Sequence, residues 1–172
     1  AMLLSFKNLS DYKIEATDGN IGHVHSFLFD DRRWTLRYLA VDTGNWLPGR
    51  KVLLSPDSIG RPDNEKRILP VTVDQDTIEQ SPTIDTKLPV SRKREHEVVD
   101  YFGWVPYWLP ISTPAPGAQM TPVGDEVPSA IEDEEAEAPD KHLRSYQEVL
   151  GYHLHTSDDE EFGHVENLIM QS

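Results

Sequence analysis

The stretch Asp11–Phe29, "DYKIEATDGNIGHVHSFLF", has a near-copy about 140 residues later, "GYHLHTSDDEEFGHVENLIM". Tyr152 falls on Tyr12, Leu154 on Ile14 and Asp158 on Asp18. After one inserted residue, Phe162, Gly163, His164 and Val165 fall on Ile21, Gly22, His23 and Val24. Leu168 then meets Phe27, and Met170 meets Phe29. So many matches across a single gap mark an internal repeat. Each copy reads as a β-hairpin: apolar residues alternate with polar ones, and Asp18-Gly19 supplies a tight-turn signal. An isolated two-stranded hairpin is marginal in water. The second hairpin must therefore pair with its own first domain, pair with another chain, or stay loosely ordered.

Between the copies, further short strands are expected. "WTLRYLAVDT" is rich in β-branched and aromatic residues, as strands prefer. "KVLLS" and "RILPVTV" follow, separated by "GNWLPG" and "RPDNEK". Short strands at close, regular spacing predict a mainly β domain, a small barrel or sandwich, over residues 3–82. One helix is expected over "QDTIEQ", capped by Asp74 and ended by Pro82; another starts near Ser91 and stops at Gly103. That second helix and the aromatic run after it form an extension over residues 83–109. Residues 110–141 hold six of the thirteen prolines and the acidic run "EDEEAEAPD", which reads as a flexible acidic linker. Residues 142–172 carry the partial second copy.

The net charge of -14 is concentrated at one end: residues 110–172 hold 2 basic and 14 acidic side chains. Such a chain repels phosphate backbones, so direct nucleic-acid binding is not expected. No apolar run approaches the roughly 20 residues of a membrane-spanning helix, and the N-terminal sequence lacks the order of a secretory signal. Without cysteine, disulfides and thiolate chemistry are excluded, which suits a reducing cytoplasm.

The stretch "DGNIGHVHSFLFDDRRWTLRYLAVDTGNWLPGRKVLLSP" resembles the PRC-barrel domain, a family named for the cytoplasmic part of the photosynthetic reaction centre H subunit. Asp18, Gly22, Val24, Phe27 to Asp30, Tyr38 to Asp42, Gly44, Trp46, Leu47 and Gly49-Arg50 carry the likeness. The resemblance implies a small, curved, closed β-barrel that serves non-catalytic assembly. Family analogy also brings two alternatives, a ribosome- or RNA-maturation-associated module and a photosynthetic-complex-associated protein.

Three groups of residues are candidates for a site. His23 and His25 share one side of a strand, and His153 and His155 repeat the spacing; such pairs could ligate a metal with a nearby carboxylate, or simply line an exposed polar face. The aromatic run Tyr101, Phe102, Trp104, Tyr107 and Trp108, with Trp34 and Trp46, could cap the barrel or meet a protein partner. Phe162 and Leu168 of the terminal hairpin could complete a homodimer by strand addition. The acidic pairs Asp30-Asp31, Asp158-Asp159 and Glu160-Glu161 fall in apparent turns, which Asp favours for backbone reasons. No nucleophile elbow, phosphate-binding glycine loop or HExxH pattern is present, and no cofactor is implied. Arg92, Lys93 and Arg94 stand in the first turn of the expected helix, where the dipole disfavours them; the chain's own acidic linker is their expected partner, ahead of RNA or a phosphate head group.

Overall fold

Alternation of exposed and buried residues places the strands. The computed structural model describes residues 3–84, 90–108 and 142–171. In chain order the strands are β1 (Leu3–Ser5), β2 (Lys13–Ala16), β3 (Gly19–Asp30), β4 (Thr35–Asp42), β5 (Lys51–Leu54), β6 (Ile68–Pro70), β7 (Leu143–Ser145), β8 (His153–His155), β9 (Glu161–His164) and β10 (Ile169–Gln171). The helices are α1 (Phe6–Leu9), α2 (Gln75–Gln80), α3 (Arg92–Phe102) and α4 (Tyr146–Val149). The chain is mainly β, and its central sheet is mixed, in the order β5-β4-β3-β2-β6. β6 runs parallel to β2, while the pairs β2–β3, β3–β4 and β4–β5 are antiparallel.

The expected barrel closure is not found. β5 and β6 end the order of paired strands; the segment after β5 meets β6 and the residue after it through two isolated bridges, Asp63↔Ile68 and Ile59↔Val71, and not through a continuous ladder. The reason is local: Pro56 opens a 3-10 turn directly after β5, and Pro70 ends β6 without a backbone donor to offer a further ladder.

Twelve residues long, β3 organises the rest. One edge pairs with β4 from His23↔Asp42 to Asp30↔Thr35, with two register shifts that bend the strand. The other edge is shared. β2 takes its first half, and β7 takes its last three residues, with Leu28↔Ser145 and Asp30↔Leu143. β1 meanwhile pairs with β10, with Ser5↔Ile169 and Leu3↔Gln171. Both ends of the C-terminal segment thus dock in cis, and strand exchange runs in both directions between the two ends of the chain. The linker and the last residue lie outside the described residues.

The sheet is buried on both faces. On one face Ile14, Ile21, Phe27, Leu39, Val41 and Leu54 join Phe6 of α1 and Tyr146 of α4. Phe6 stacks on Phe27 with ring centroids 4.3 Å apart. On the other face Leu28, Tyr38, Ala40 and Leu53 meet Val98 of α3 and Leu143 of β7. Burying one such aliphatic or aromatic side chain contributes about 1.5–3 kcal/mol. The two expected helices form as their caps dictate: Asp74 accepts from Thr77 N at 2.8 Å, and Ser91 accepts from Arg94 N at 3.3 Å. α1 and α4 are additional single turns, capped by Ser5 and Ser145.

Candidate functional site

The aromatic extension is fastened to the chain's own sheet around one buried carboxylate. Glu95 lies one turn into α3 and is fully buried. Its Oε2 accepts from Tyr38 Oη at 3.0 Å and Tyr107 Oη at 2.9 Å. Arg92 Nη1 stands 3.4 Å from its Oε1. This explains Arg92 in a helix's first turn: a buried partner outweighs the weak dipole effect. Burial and the adjacent carboxylate push both phenols well above the ordinary tyrosine range. The Arg37 guanidinium lies 4.1 Å over the Tyr107 ring and bonds Asp30 at 3.1 Å. Arg92 lies 4.4 Å over Trp108. Arg94 pairs with Glu97 on the same helix.

The other rings pack the same way. Phe102 stacks on Trp104 at 4.4 Å, Trp104 and Tyr107 both pack on Tyr38, and Tyr101 donates to Thr77 O at 2.7 Å. Trp46 packs against the first core cluster, while Trp34 is exposed and stacks on Phe29. An open cavity of about 380 Å³ lies beside the cluster, lined in part by Thr35, Arg37, Tyr38, Trp104 and Tyr107. Glu95, fully buried, is not among the residues that line it.

The histidines fall in two places, His23 and His25 on β3 and His153, His155 and His164 on the terminal hairpin, where His153 faces His164 in register. His23 pairs in register with Lys13 and Asp42. Partial burial and the Lys51 charge lower the basicity of His25. His153 contacts Glu161 at 2.6 Å, His155 approaches Asp159, and His164 approaches Glu166, all on the exposed hairpin. Among the described residues no group of three or more His, Cys, Asp or Glu is gathered for a metal.

A second ionic cluster anchors β7. Asp31 receives His142 Nδ1 and Arg144 Nε, each at 3.0 Å. Burial opposes ionisation of Asp31, but these two bonds outweigh it and hold the carboxyl below its usual range. Nearby, Gln147 Nε2 donates to His25 O at 2.5 Å and its Oε1 accepts from Ser26 Oγ. At the opposite exchange, Phe6 N donates to Leu168 O at 3.0 Å, and Lys7 N donates to Asn167 Oδ1 at 3.1 Å. Leu168 is therefore packed within the chain, half-buried against the first core cluster; Phe162 is not.

Besides Trp34 and Val105 on the first unit, the hairpin β8–β9 leaves large apolar side chains exposed. It repeats the register of β2–β3: Ile14 faces Gly22 and Leu154 faces Gly163, with a register shift after Ile14 and after Leu154. The surroundings differ. Tyr12, Ile14 and Ile21 are 6%, 0% and 0% exposed, whereas Tyr152, Leu154 and Phe162 are 48%, 38% and 66% exposed. The glycines show why. A Cβ on Gly22 (φ 136°) would sit 2.0 Å from Asp42 O of β4, so the neighbouring strand allows no side chain there. Gly163 keeps a similar φ of 155°, yet a Cβ on it would meet nothing within 4 Å. Among the described residues β9 pairs only with β8, and β10 only with β1.

Sequence reasoning named Phe162 as a contact residue, and the structure leaves its side chain exposed. It missed Glu95 with Tyr38, whose meeting depends on how α3 crosses the sheet, and Phe6 with Tyr146. The Ser145–Glu148 capping box was the available signal for α4. No helix among the described residues is long and apolar enough to cross a membrane. Comparison with known protein families and with curated proteins returns no match for this chain.

Proposed function

We propose that this chain is a non-catalytic protein-binding module of the PRC-barrel type, built from two related units, one covered and one open. The observation that carries the reading is the contrast between Ile21, fully buried, and Phe162, 66% exposed, at aligned positions of two hairpins with the same register. Exposed apolar side chains clustered on one sheet face are typical of contact surfaces. The aromatic extension then has an internal task, holding α3 on the sheet through Glu95. The terminal hairpin is the contact surface, and it assembles the chain into a larger complex.

Self-association by strand addition is a poorer fit than binding a different protein. Pairing two hairpins would bring two strongly acidic segments together, since residues 142–172 carry one arginine against six acidic residues and no lysine. Photo-crosslinking from position 162, with position 15 on the covered unit as control, tests the reading. Discrete crosslinks to another protein from 162, abolished by Leu154→Asp, are the expected result. Equal labelling from both positions would overturn it.

A further inference from the structure

The open cavity of about 380 Å³ beside the aromatic extension lies between the start of β4, the turn after β5 and the end of α3. Tyr38, Trp104 and Tyr107 wall it, with Leu36 and Val99. Most of its polar side chains are already committed. Both phenols donate to Glu95, the Thr35 hydroxyl donates to Arg33 O at 3.2 Å, and Ser55 Oγ accepts from Asp57 N at 3.2 Å. Arg37 is the exception. Its Nη2 bonds Asp30 at 3.1 Å and the Tyr107 ring covers its guanidinium, but its buried Nε has no partner among the described residues. Two groups stand at the mouth. Val105, 81% exposed, prolongs the apolar wall outwards, and Asp57 is exposed on the rim, its carboxylate unpaired among the described residues.

We infer that this cavity receives a proline-rich segment of a partner protein, extended and carrying a basic residue. The walls are aromatic and aliphatic, the guanidinium lacks an acceptor, and the side-chain acceptor left over is the rim carboxylate. Proline supplies an apolar ring and a carbonyl but no N–H, so it lies on such walls without leaving a donor unpaired. Other residues would bury N–H groups that these walls do not satisfy. The acceptor that suits Arg37 is a neutral carbonyl: Asp30 already balances the guanidinium charge, and Asp57 adds a negative charge at the rim, so an anion gains little. Val105, standing outside the cavity, calls for an occupant longer than the cavity. A segment already in the polyproline conformation gives up little entropy on docking along it. Asp57 then selects a lysine or arginine beside the proline run. This surface is separate from the terminal hairpin, and it gives the aromatic extension an outward task besides holding α3.

The probe is a synthetic decaproline ending in arginine, titrated into the isotope-labelled full chain, with a glycine–serine peptide of equal length and the same arginine as control. Saturable binding of the proline peptide alone is expected, with amide shifts at residues 35–37, 55–57 and 99–107. Val105→Asp should weaken it by about tenfold or more, the size of losing a central contact. Val105 is exposed in the free chain, so this variant should keep its fold; a matching circular dichroism melt checks that. Asp57→Asn is the second variant. It should weaken the arginine-tagged peptide by about two- to fivefold, leave untagged decaproline unchanged, and remove the salt dependence of binding. No saturable binding, equal binding of the control, unchanged binding by Val105→Asp, or shifts confined to other residues would overturn the inference. Equally tight binding of N-acetylproline methylamide would also overturn it, by making the cavity a small-molecule site. So would binding that appears only after Pro110, Pro114, Pro116, Pro122 and Pro128 are replaced by serine, because the chain's own segment would then be the occupant. Crosslinking from position 162 stands or falls independently of each of these results.

Discussion

Phe6 and Tyr146 meet edge to face, ring centroids 5.5 Å apart and planes at 84°. The offset that aligns Tyr12 with Tyr152 also aligns these two rings, each in the single helical turn that follows a three-residue strand. Each of those strands pairs away from its own hairpin: β1 with β10, and β7 with the end of β3. The C-terminal segment is therefore part of the first unit's core, even though its own hairpin stays open.

Removing that contact should destabilise the whole molecule. Phe6→Ala deletes a ring that is 4% exposed, and a loss of about 3–5 kcal/mol is expected for a buried phenylalanine. Urea unfolding measures it. Hydrogen exchange should quicken at Leu143–Ser145 and Ile169–Gln171 together. Independent exchange of the two segments would show that they are not coupled.

Gly22 and Gly163 should respond differently to alanine. Both hold positive φ, so both variants carry backbone strain of roughly 1–3 kcal/mol. Only at Gly22 does the methyl also strike a strand, 2.0 Å from Asp42 O. Gly22→Ala should lower the melting temperature severely or prevent folding, while Gly163→Ala should produce a modest shift. Equal effects would mean that the seat beside Gly163 is filled.

Glu95 should tolerate glutamine better than alanine. Alanine leaves Arg92 without its buried carboxylate and two phenols without their acceptor, a loss of about 3–5 kcal/mol. Glutamine retains an acceptor for the hydroxyls and loses the charge. Chemical denaturation of both variants, with Tyr38→Phe, ranks the contributions.

Alkaline pH should attack the same cluster. Tyr38 and Tyr107 titrate higher when folded than when unfolded. The folded state therefore holds more protons above the ordinary tyrosine pKa of about 10, and stability falls as pH rises from there. Their tyrosinate absorbance, isolated by Tyr→Phe variants, should appear only with unfolding. Ionisation with the fold intact would contradict the buried assignment.

Acid should act on the anchor of β7. The Asp31 carboxyl is depressed in the folded chain, so its contribution is fully present above the unfolded aspartate pKa of about 3.9 and is lost as pH falls through the lower folded value. Exchange at Leu143–Ser145 should quicken in that range, and Asp31→Asn should produce the same loosening at neutral pH. An unchanged rate in the variant would assign the anchoring to Tyr146 and Gln147 instead.

Local signals determined the pieces. Alternation and turn residues placed β2 through β6, because a strand's period of two and a glycine's positive φ are properties of a few neighbouring residues. Asp74, Ser91 and Gly103 bounded α2 and α3 for the same reason, and the matching register of Ile14–Gly22 and Leu154–Gly163 follows from their shared residues. Tertiary structure alone decided the partners. That β7 crosses to β3 and β10 to β1, that Glu95 meets Tyr38, and that the sheet stops short of closure all depend on contacts between residues far apart in sequence. Such contacts follow from how buried surfaces fit in space, which no local pattern encodes: Ile21 and Phe162 sit in similar sequence, yet among the described residues one is packed into a core and the other is exposed.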